Sequence, residues 1–584
     1  MEHARLIGLL VLAATLSCGR TTPVRFATTT VSVTVQGSGS VVSAPPGIAC
    51  PGRCEAAFVT GTQVQLLATT AGGVAVEWSG ACTGIFTCDF VAIDAPLATA
   101  RFGVLLSVAT LGDGLGRIVS APAGIDCGST CAAVFDPGTM VTLTAIPEPG
   151  TLFGGWTGDC AGVAPCAITM DAAHSAGATL LGPGTPLAVS RFGDVLDDAG
   201  FAIALDSSAG EFVAGSFLGA IDFGGGAIAS AGGSDAFLVS IGPNGTPRWA
   251  KAIGGSLADE VRGVAVDTAG NVVVTGGWQG AVNFGGGVLN SSGGSVDAFV
   301  VCFKSADGTY RWQQLVQTGA FDAGRSVAVS AGFAVAAGSD GNNVSDAWLR
   351  RTRISDGAAQ ASPGDVTGAG ADDAFGIGIA PDGSFVAAGS FSQNVNFNGQ
   401  NITSNGASDA FLARYSPAAA ALLFTRVGGS GADAFRAIAI DTAGNIAAAG
   451  TEAGELVVGH FGLDGSVDWL RTYPGLATAQ SIAIDAIGDI VVAGSFADGA
   501  DLGTGPLTAA GGADAFVAKY DRSGIPIWVH TFGGPLDEGV NGIAIDATGT
   551  IHAIGFFQGT ANFGFAGSAT SAGGRDVFVL RLSP

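Results

Sequence analysis

The stretch that decides the fold is Gly263–Trp278, GVAVDTAGNVVVTGGW. Two apolar runs, VAV and VVV, flank Asp267-Thr268-Ala269-Gly270. An Asp that can hydrogen-bond its own backbone, followed by a Gly that can take positive φ, makes this a hairpin turn between two β-strands. The same element recurs from Ala202 (AIALDSSAGEFVAGSF), Ser326 (SVAVSAGFAVAAGS), Gly376 (GIGIAPDGSFVAAGSF), Ala437 (AIAIDTAGNIAAAGT), Ser481 (SIAIDAIGDIVVAGSF) and Gly542 (GIAIDATGTIHAIGFF). Seven copies are present, and the third lacks the Asp.

Two further elements share the period. Asp-Ala-Phe occurs at Asp235–Phe237, Asp297–Phe299, Asp409–Phe411 and Asp514–Phe516, with variants at Asp346-Ala347-Trp348 and Asp576-Val577-Phe578. An aromatic strand then follows, carrying Trp249, Trp312, Phe424, Trp469 or Trp528. Each copy thus supplies four short strands, and four strands repeated seven times predict a seven-bladed β-propeller over 187–584. The last copy lacks its aromatic strand, while Pro186–Gly193 (PLAVSRFG) precedes the first copy and matches it. The N-terminal strand is therefore expected to complete the last blade and to remove open sheet edges. These motifs resemble the bacterial seven-bladed propeller repeat family. That resemblance implies a fold and no activity, because propellers host many unrelated functions.

Upstream the period changes. Gly37–Cys54 (GSGSVVSAPPGIACPGRC) and Gly114–Cys131 (GLGRIVSAPAGIDCGSTC) are copies of one pattern, and each leads to Trp-x-Gly-x-Cys at Trp78–Cys82 and Trp156–Cys160. Two β-modules are expected, 30–104 and 105–182, each with four cysteines: Cys50, Cys54, Cys82 and Cys88, then Cys127, Cys131, Cys160 and Cys166. Four cysteines allow three pairings, and sequence alone leaves all of them open. Local disulfides, Cys50–Cys54 with Cys82–Cys88 and the same in the second module, are the expectation for an exported chain. A four-Cys zinc site is the alternative. The paired motifs resemble the bacterial repeat domain related to internalin B-repeats, which implies a spacer or stalk without chemistry of its own.

Met1–Cys18 (MEHARLIGLLVLAATLSC) has a positively charged start and an apolar run, Leu6–Leu16. That run is too short to cross a bilayer, which takes about 20 residues. It reads as the h-region of a signal peptide, with residues 19–29 as a linker. Leu16-Ser17-Cys18-Gly19 resembles a bacterial lipobox, which implies lipidation of Cys18 as the membrane attachment, or secretion if Cys18 stays unmodified.

Composition narrows the function. Gly accounts for 95 of 584 residues, which excludes a long-helix protein. The net charge of −24 disfavours nucleic acid as a partner. No nucleophile elbow, zinc-protease motif or P-loop is present, and no catalytic residue or cofactor is assigned. Cys302, on a strand, reads as a buried inert thiol. Acidic residues cluster ahead of several repeats at Asp197-Asp198, Asp259-Glu260, Asp372-Asp373, Asp433 and Asp537-Glu538. Ordinary turn chemistry is the expectation there, with Ca²⁺ binding the alternative. The reading is a non-enzymatic, lipid-anchored envelope protein that binds or displays, with an envelope protein or glycan as ligand. A Ca²⁺-dependent envelope lyase or hydrolase and a structural surface-matrix protein are the other readings.

Overall fold

The computed structural model describes residues 25–70, 74–85, 87–330, 332–341 and 345–584. Met1–Cys18, including the lipidation candidate, lies outside them. The described chain is all-β: several sheets, no α-helix, and one 3₁₀ turn at Gly564–Ala566. It divides into two units, 1–181 and 182–584.

In the first unit the two cysteine repeats build matching four-stranded sheets. One runs Ala49–Cys50, Gly39–Ala44, Gln63–Thr70, Cys88–Val91, and the other Asp126–Cys127, Gly116–Ala121, Met140–Pro147, Cys166–Thr169. A 15-residue strand, Leu97–Leu111, belongs to both halves. Its start pairs in parallel with Thr28–Gln36, and its end pairs in parallel with His174–Leu181. The boundary expected at 104/105 thus falls inside a continuous strand. Four disulfides form, Cys50–Cys54, Cys82–Cys88, Cys127–Cys131 and Cys160–Cys166. Each has one buried sulfur in the core of its half, beside Trp78 or Trp156. Both indoles are core, in keeping with modules too small to bury much else.

The second unit contains seven successive main sheets and three small accessory ones, Ala220–Ile221 with Ile228–Ala229, Ala281–Asn283 with Val288–Asn290, and Thr367–Gly368 with Asn394–Phe397 and Gln400–Thr403. The first strands are Asp198–Leu205, Glu260–Val266, Ala323–Val329, Asp372–Ile379, Asp433–Ile440, the second half of Val467–Ile484, and Gly539–Ile545. Six main sheets have four strands, and the third has three. The fifth and sixth are joined without a turn, because Val467–Ile484 is the outer strand of one and the first strand of the next. Pro186–Phe192 pairs antiparallel with Ser568–Leu582 as the fourth strand of the seventh sheet.

Seven apolar cores lie between neighbouring sheets. Phe299 sits in the core between the first and second, and Trp348 in that between the second and third. The others follow in order, and the last joins the seventh sheet, through Ile554, Val577 and Val579, to the first, through Phe217 and Phe237. Polar contacts cross the same seams. The indole N–H of Trp249 donates to the Ser305 carbonyl (2.9 Å), that of Trp312 to Ile354 (2.8 Å) and that of Trp469 to Arg522 (2.9 Å). Between the seventh sheet and the first, buried Glu211 accepts from Arg581 Nε at 2.8 Å and lies 2.6 Å from His552 Nδ1. Burial raises the Glu211 carboxyl, but the hydrogen bonds of His552 and Arg581 outweigh it and leave it below its ordinary pKa.

Each first strand carries a bulge at the same place, with register breaks at Gly200/Ala202, Val261/Gly263, Gly324/Ser326, Ala374/Gly376, Phe435/Ala437, Ala479/Ser481 and Val540/Gly542. Opposite each bulge the second strand has a glycine: Gly215, Gly276, Gly338, Gly389, Gly450, Gly494 or Gly555. A Cβ at any of them would collide with the carbonyl oxygen that opens the bulge, that of Asp373 in the case of Gly389. The glycine of the A-A-G-S-F motif therefore exists to admit a backbone oxygen. Gly389→Ala should destabilise the second unit by about 3 kcal/mol, since neither strand backbone can yield without losing its ladder. Chemical denaturation with intrinsic fluorescence measures this, and a loss within experimental error would remove the bulge as a structural requirement.

Candidate functional site

A bulge leaves one residue unpaired and re-aims its side chain. The seven bulged residues are Phe201, Arg262, Arg325, Phe375, Arg436, Gln480 and Asn541, and together they line one cavity of about 140 Å³. An adjoining cavity of about 150 Å³ shares them and adds the residues that follow on each strand, Ile203, Val264 and Val327 among them. Each repeat thus contributes one side chain to a common site. The sequence reading missed these residues. Each stands immediately before the repeated motif and varies from copy to copy, so no pattern marks it. The available signal was the concentration of three arginines at one repeat position in a chain with only 24 Lys and Arg.

The lining is cationic and aromatic. The Arg262 guanidinium lies 4.2 Å from the Phe201 ring centroid, and its N–H groups donate to both oxygens of Glu260, at 2.8 and 2.7 Å. Phe375 receives two guanidiniums, Arg436 at 5.3 Å and Arg325 at 6.0 Å. These separations fit cation–π contact. Asn541 Nδ2 donates to the Gly200 carbonyl at 2.8 Å, while Gln480 is exposed. Burial, and then the like charge of Arg262, push the Arg325 guanidinium below its ordinary pKa.

The acidic clusters singled out from sequence do not converge on this cavity. Asp198, Asp259, Asp322, Asp372, Asp433 and Glu538 occupy one repeat position, three residues before the bulge, and all are buried. They accept backbone N–H groups: Asp198 from Asp194 and Leu218, Asp259 from Gly255 and Gln279, Asp433 from Gly429 and Ala453, Glu538 from Gly534. Asp372 accepts from Ser392. Their exposed neighbours do similar work, Asp197 accepting from Arg575 N and Asp537 from Ala513 N. Glu260 holds Arg262, and Asp373 accepts from the Ser345 hydroxyl at 3.3 Å. Among the described residues no three His, Cys, Asp or Glu side chains are grouped to hold a metal ion. Cys302 is buried between the second and third sheets, and burial pushes its thiol up to about 12.

With this geometry in hand, the family match falls in the first unit. Its second half is a small disulfide-bearing β-repeat. Residues 119–179 match the family described as a divergent InlB B-repeat domain. No curated protein matches the chain. One solved structure, a protein of unknown function from Bacteroides caccae, is 14% identical over 44% of this chain and 78% of its own, with a TM-score of 0.28. A likeness of that degree carries no architectural argument. Among the described residues no helix is long and apolar enough to cross a membrane.

The buried carboxylates generate a pH dependence. Burial raises Asp259 to about 6, Asp198 and Glu538 to about 7 and Asp372 to about 8. In the unfolded chain these groups ionise near pH 4. Between about pH 4 and 8 the folded state therefore binds more protons, and stability falls as pH rises. Glu211, held low, acts only below that window. Thermal unfolding should show a higher midpoint at pH 5 than at pH 8, with a smaller difference in Asp372→Asn; a midpoint that rises towards pH 8 contradicts this account.

Proposed function

We propose that residues 187–584 form a seven-bladed β-propeller and that the chain is a non-enzymatic binding or display scaffold of the cell envelope. The observation that carries the architecture is the seam. Pro186–Phe192 supplies the seventh sheet's fourth strand, and the seventh core joins that sheet to the first. Two ends of a 400-residue segment meeting in one sheet favours a closed ring over an open array, because closure removes the sheet edges. The first unit, matched over 119–179 by a repeat family, serves as a stalk. A lipid on Cys18, as the Leu16–Gly19 motif implies, is the tether, and four disulfides suit an oxidising compartment.

The binding role draws its support from the seven-residue cavity. Its side chains are phenyl, guanidinium and carboxamide. None is a nucleophile, and none exchanges a proton readily near neutral pH, so the lining suits recognition better than acid–base chemistry.

Two experiments test this. Ser190 and Val579 face each other across the seam. The Ser190→Cys/Val579→Cys variant should form an intramolecular cross-link on mild oxidation, seen as a shift in non-reducing electrophoresis; its failure in folded protein opens the ring. In a bacterial host, an alkyne fatty acid should label the wild-type chain, and Cys18→Ala should lose the label and leave the membrane fraction. A label that persists in Cys18→Ala overturns the anchor, and turnover of an envelope glycan by the purified protein overturns the non-enzymatic role.

A further inference from the structure

We infer that the axial cavity binds an oxyanion, carboxylate, sulfate or phosphate, through Arg325 and Arg436, with Arg262 and Gln480 as additional donors. The inference rests on the propeller scaffold reading and names the ligand class of that scaffold's cavity.

The first support is the state of the arginines. Most others in the second unit meet a carboxylate: Arg191 with Asp576, Arg248 with Asp206, Arg350 with Asp365, Arg414 with Asp382, Arg581 with Glu211. Arg262 is likewise held by Glu260. In a chain with twice as many acidic as basic residues, 48 against 24, this is the default outcome. Arg325 and Arg436 depart from it. These two cavity arginines lie against Phe375 instead, and the Nε of each, like that of Arg351 outside the cavity, is buried without a hydrogen-bond acceptor among the described residues. With no carboxylate in salt-bridge contact with either guanidinium among the described residues, the positive charge of both is left for an anion entering the cavity to neutralise.

The surroundings supply the second support. Phe201 and Phe375 hold the guanidinium planes, and Arg presents a rigid fork of donors that matches the paired oxygens of an oxyanion. Like-charge repulsion and burial already weigh on Arg325, so an entering negative charge relieves an existing strain. Size then limits the guest. A cavity of about 150 Å³ admits a compact oxyanion. The anion is therefore either a free ion or the acidic terminus of a ligand whose body stays outside, such as an anionic glycan.

Isothermal titration of the full chain with sulfate, inorganic phosphate, glucuronate and an oligomer of galacturonate tests the inference and separates the sources. Saturable binding at one site per chain is expected for at least one probe, weakened at least about tenfold in Arg325→Gln/Arg436→Gln and unchanged in Arg248→Gln, an exterior control. Stronger binding of the oligomer than of glucuronate identifies a glycan terminus, while sulfate or phosphate binding alone identifies a free ion. The anion-free double variant should also unfold at a higher temperature than wild type, because it loses neighbouring like charges. If circular dichroism shows that the double variant is unfolded, Arg436→Met replaces it. Absence of saturable binding by all four probes, or binding that the arginine substitutions leave intact, overturns the inference. Repeating the titration on cross-linked Ser190→Cys/Val579→Cys distinguishes the two failures: a cross-linked protein that binds nothing sinks the oxyanion alone, and a folded protein that cannot be cross-linked sinks the ring beneath it.

Discussion

One close approach organises the second unit: a glycine in the second strand of every main sheet lies against the carbonyl oxygen that opens a bulge in the first. The missing Cβ lets the oxygen in, the oxygen permits an extra residue, and the extra residue turns its side chain away from the ladder. Repeated seven times, this backbone contact creates a shared cavity without any side chain being specified for it. Fold and site are thus coupled through the glycine and separable in chemistry, since the glycine is fixed while its bulged partner is Phe, Arg, Gln or Asn.

Much of the second unit was legible because its signals are local. The Asp-x-x-Gly turn works as read: Asp267 Oδ1 accepts from Ala269 and Asn271, and Gly270 has φ of 82°. In the first copy the positive φ falls on Ala209 instead, at 60°, so the turn outlasts its preferred residue. The third strand of the fifth sheet, Glu455–Phe461, forms without Asp-Ala-Phe, because alternation and a paired neighbour suffice. The bulged residues were illegible for the opposite reason. Their meaning lies in convergence from positions tens to hundreds of residues apart, and nothing in the flanking sequence of any one copy records it. The strand shared by the two cysteine modules escaped for a similar reason. Leu97–Leu111 carries no turn signal at its middle, and two adjacent repeats fuse when the last strand of one is the first of the next.

The acidic composition also gains an explanation. Aspartates in this chain are chiefly acceptors for backbone N–H groups in tight loops. Asp206, Asp267, Asp441, Asp485, Asp521 and Asp546 each receive two such donors on one oxygen. A second set, at Asp235, Asp297, Asp409, Asp514 and Asp576, receives one each at the start of the third strand. A short-loop β-protein rich in glycine has many such donors to satisfy and few side chains able to reach them, so its net charge follows from its architecture. Carboxylate abundance is then a poor guide to a cation partner.

The same accounting gives the arginines of the cavity their significance. Where carboxylates outnumber cations two to one, pairing is the common fate of a guanidinium, and Arg325 and Arg436 instead lie against Phe375. The bulge delivers Arg325 and Arg436 to a cavity shared by the middles of the first strands. Arginine stands at three of the seven bulges and most carboxylates stand at the turns, so charge is mostly sorted by position along each strand. That sorting follows from strand geometry, and it leaves the bulged position free to change identity, and with it the ligand, while the turns and cores stay as they are.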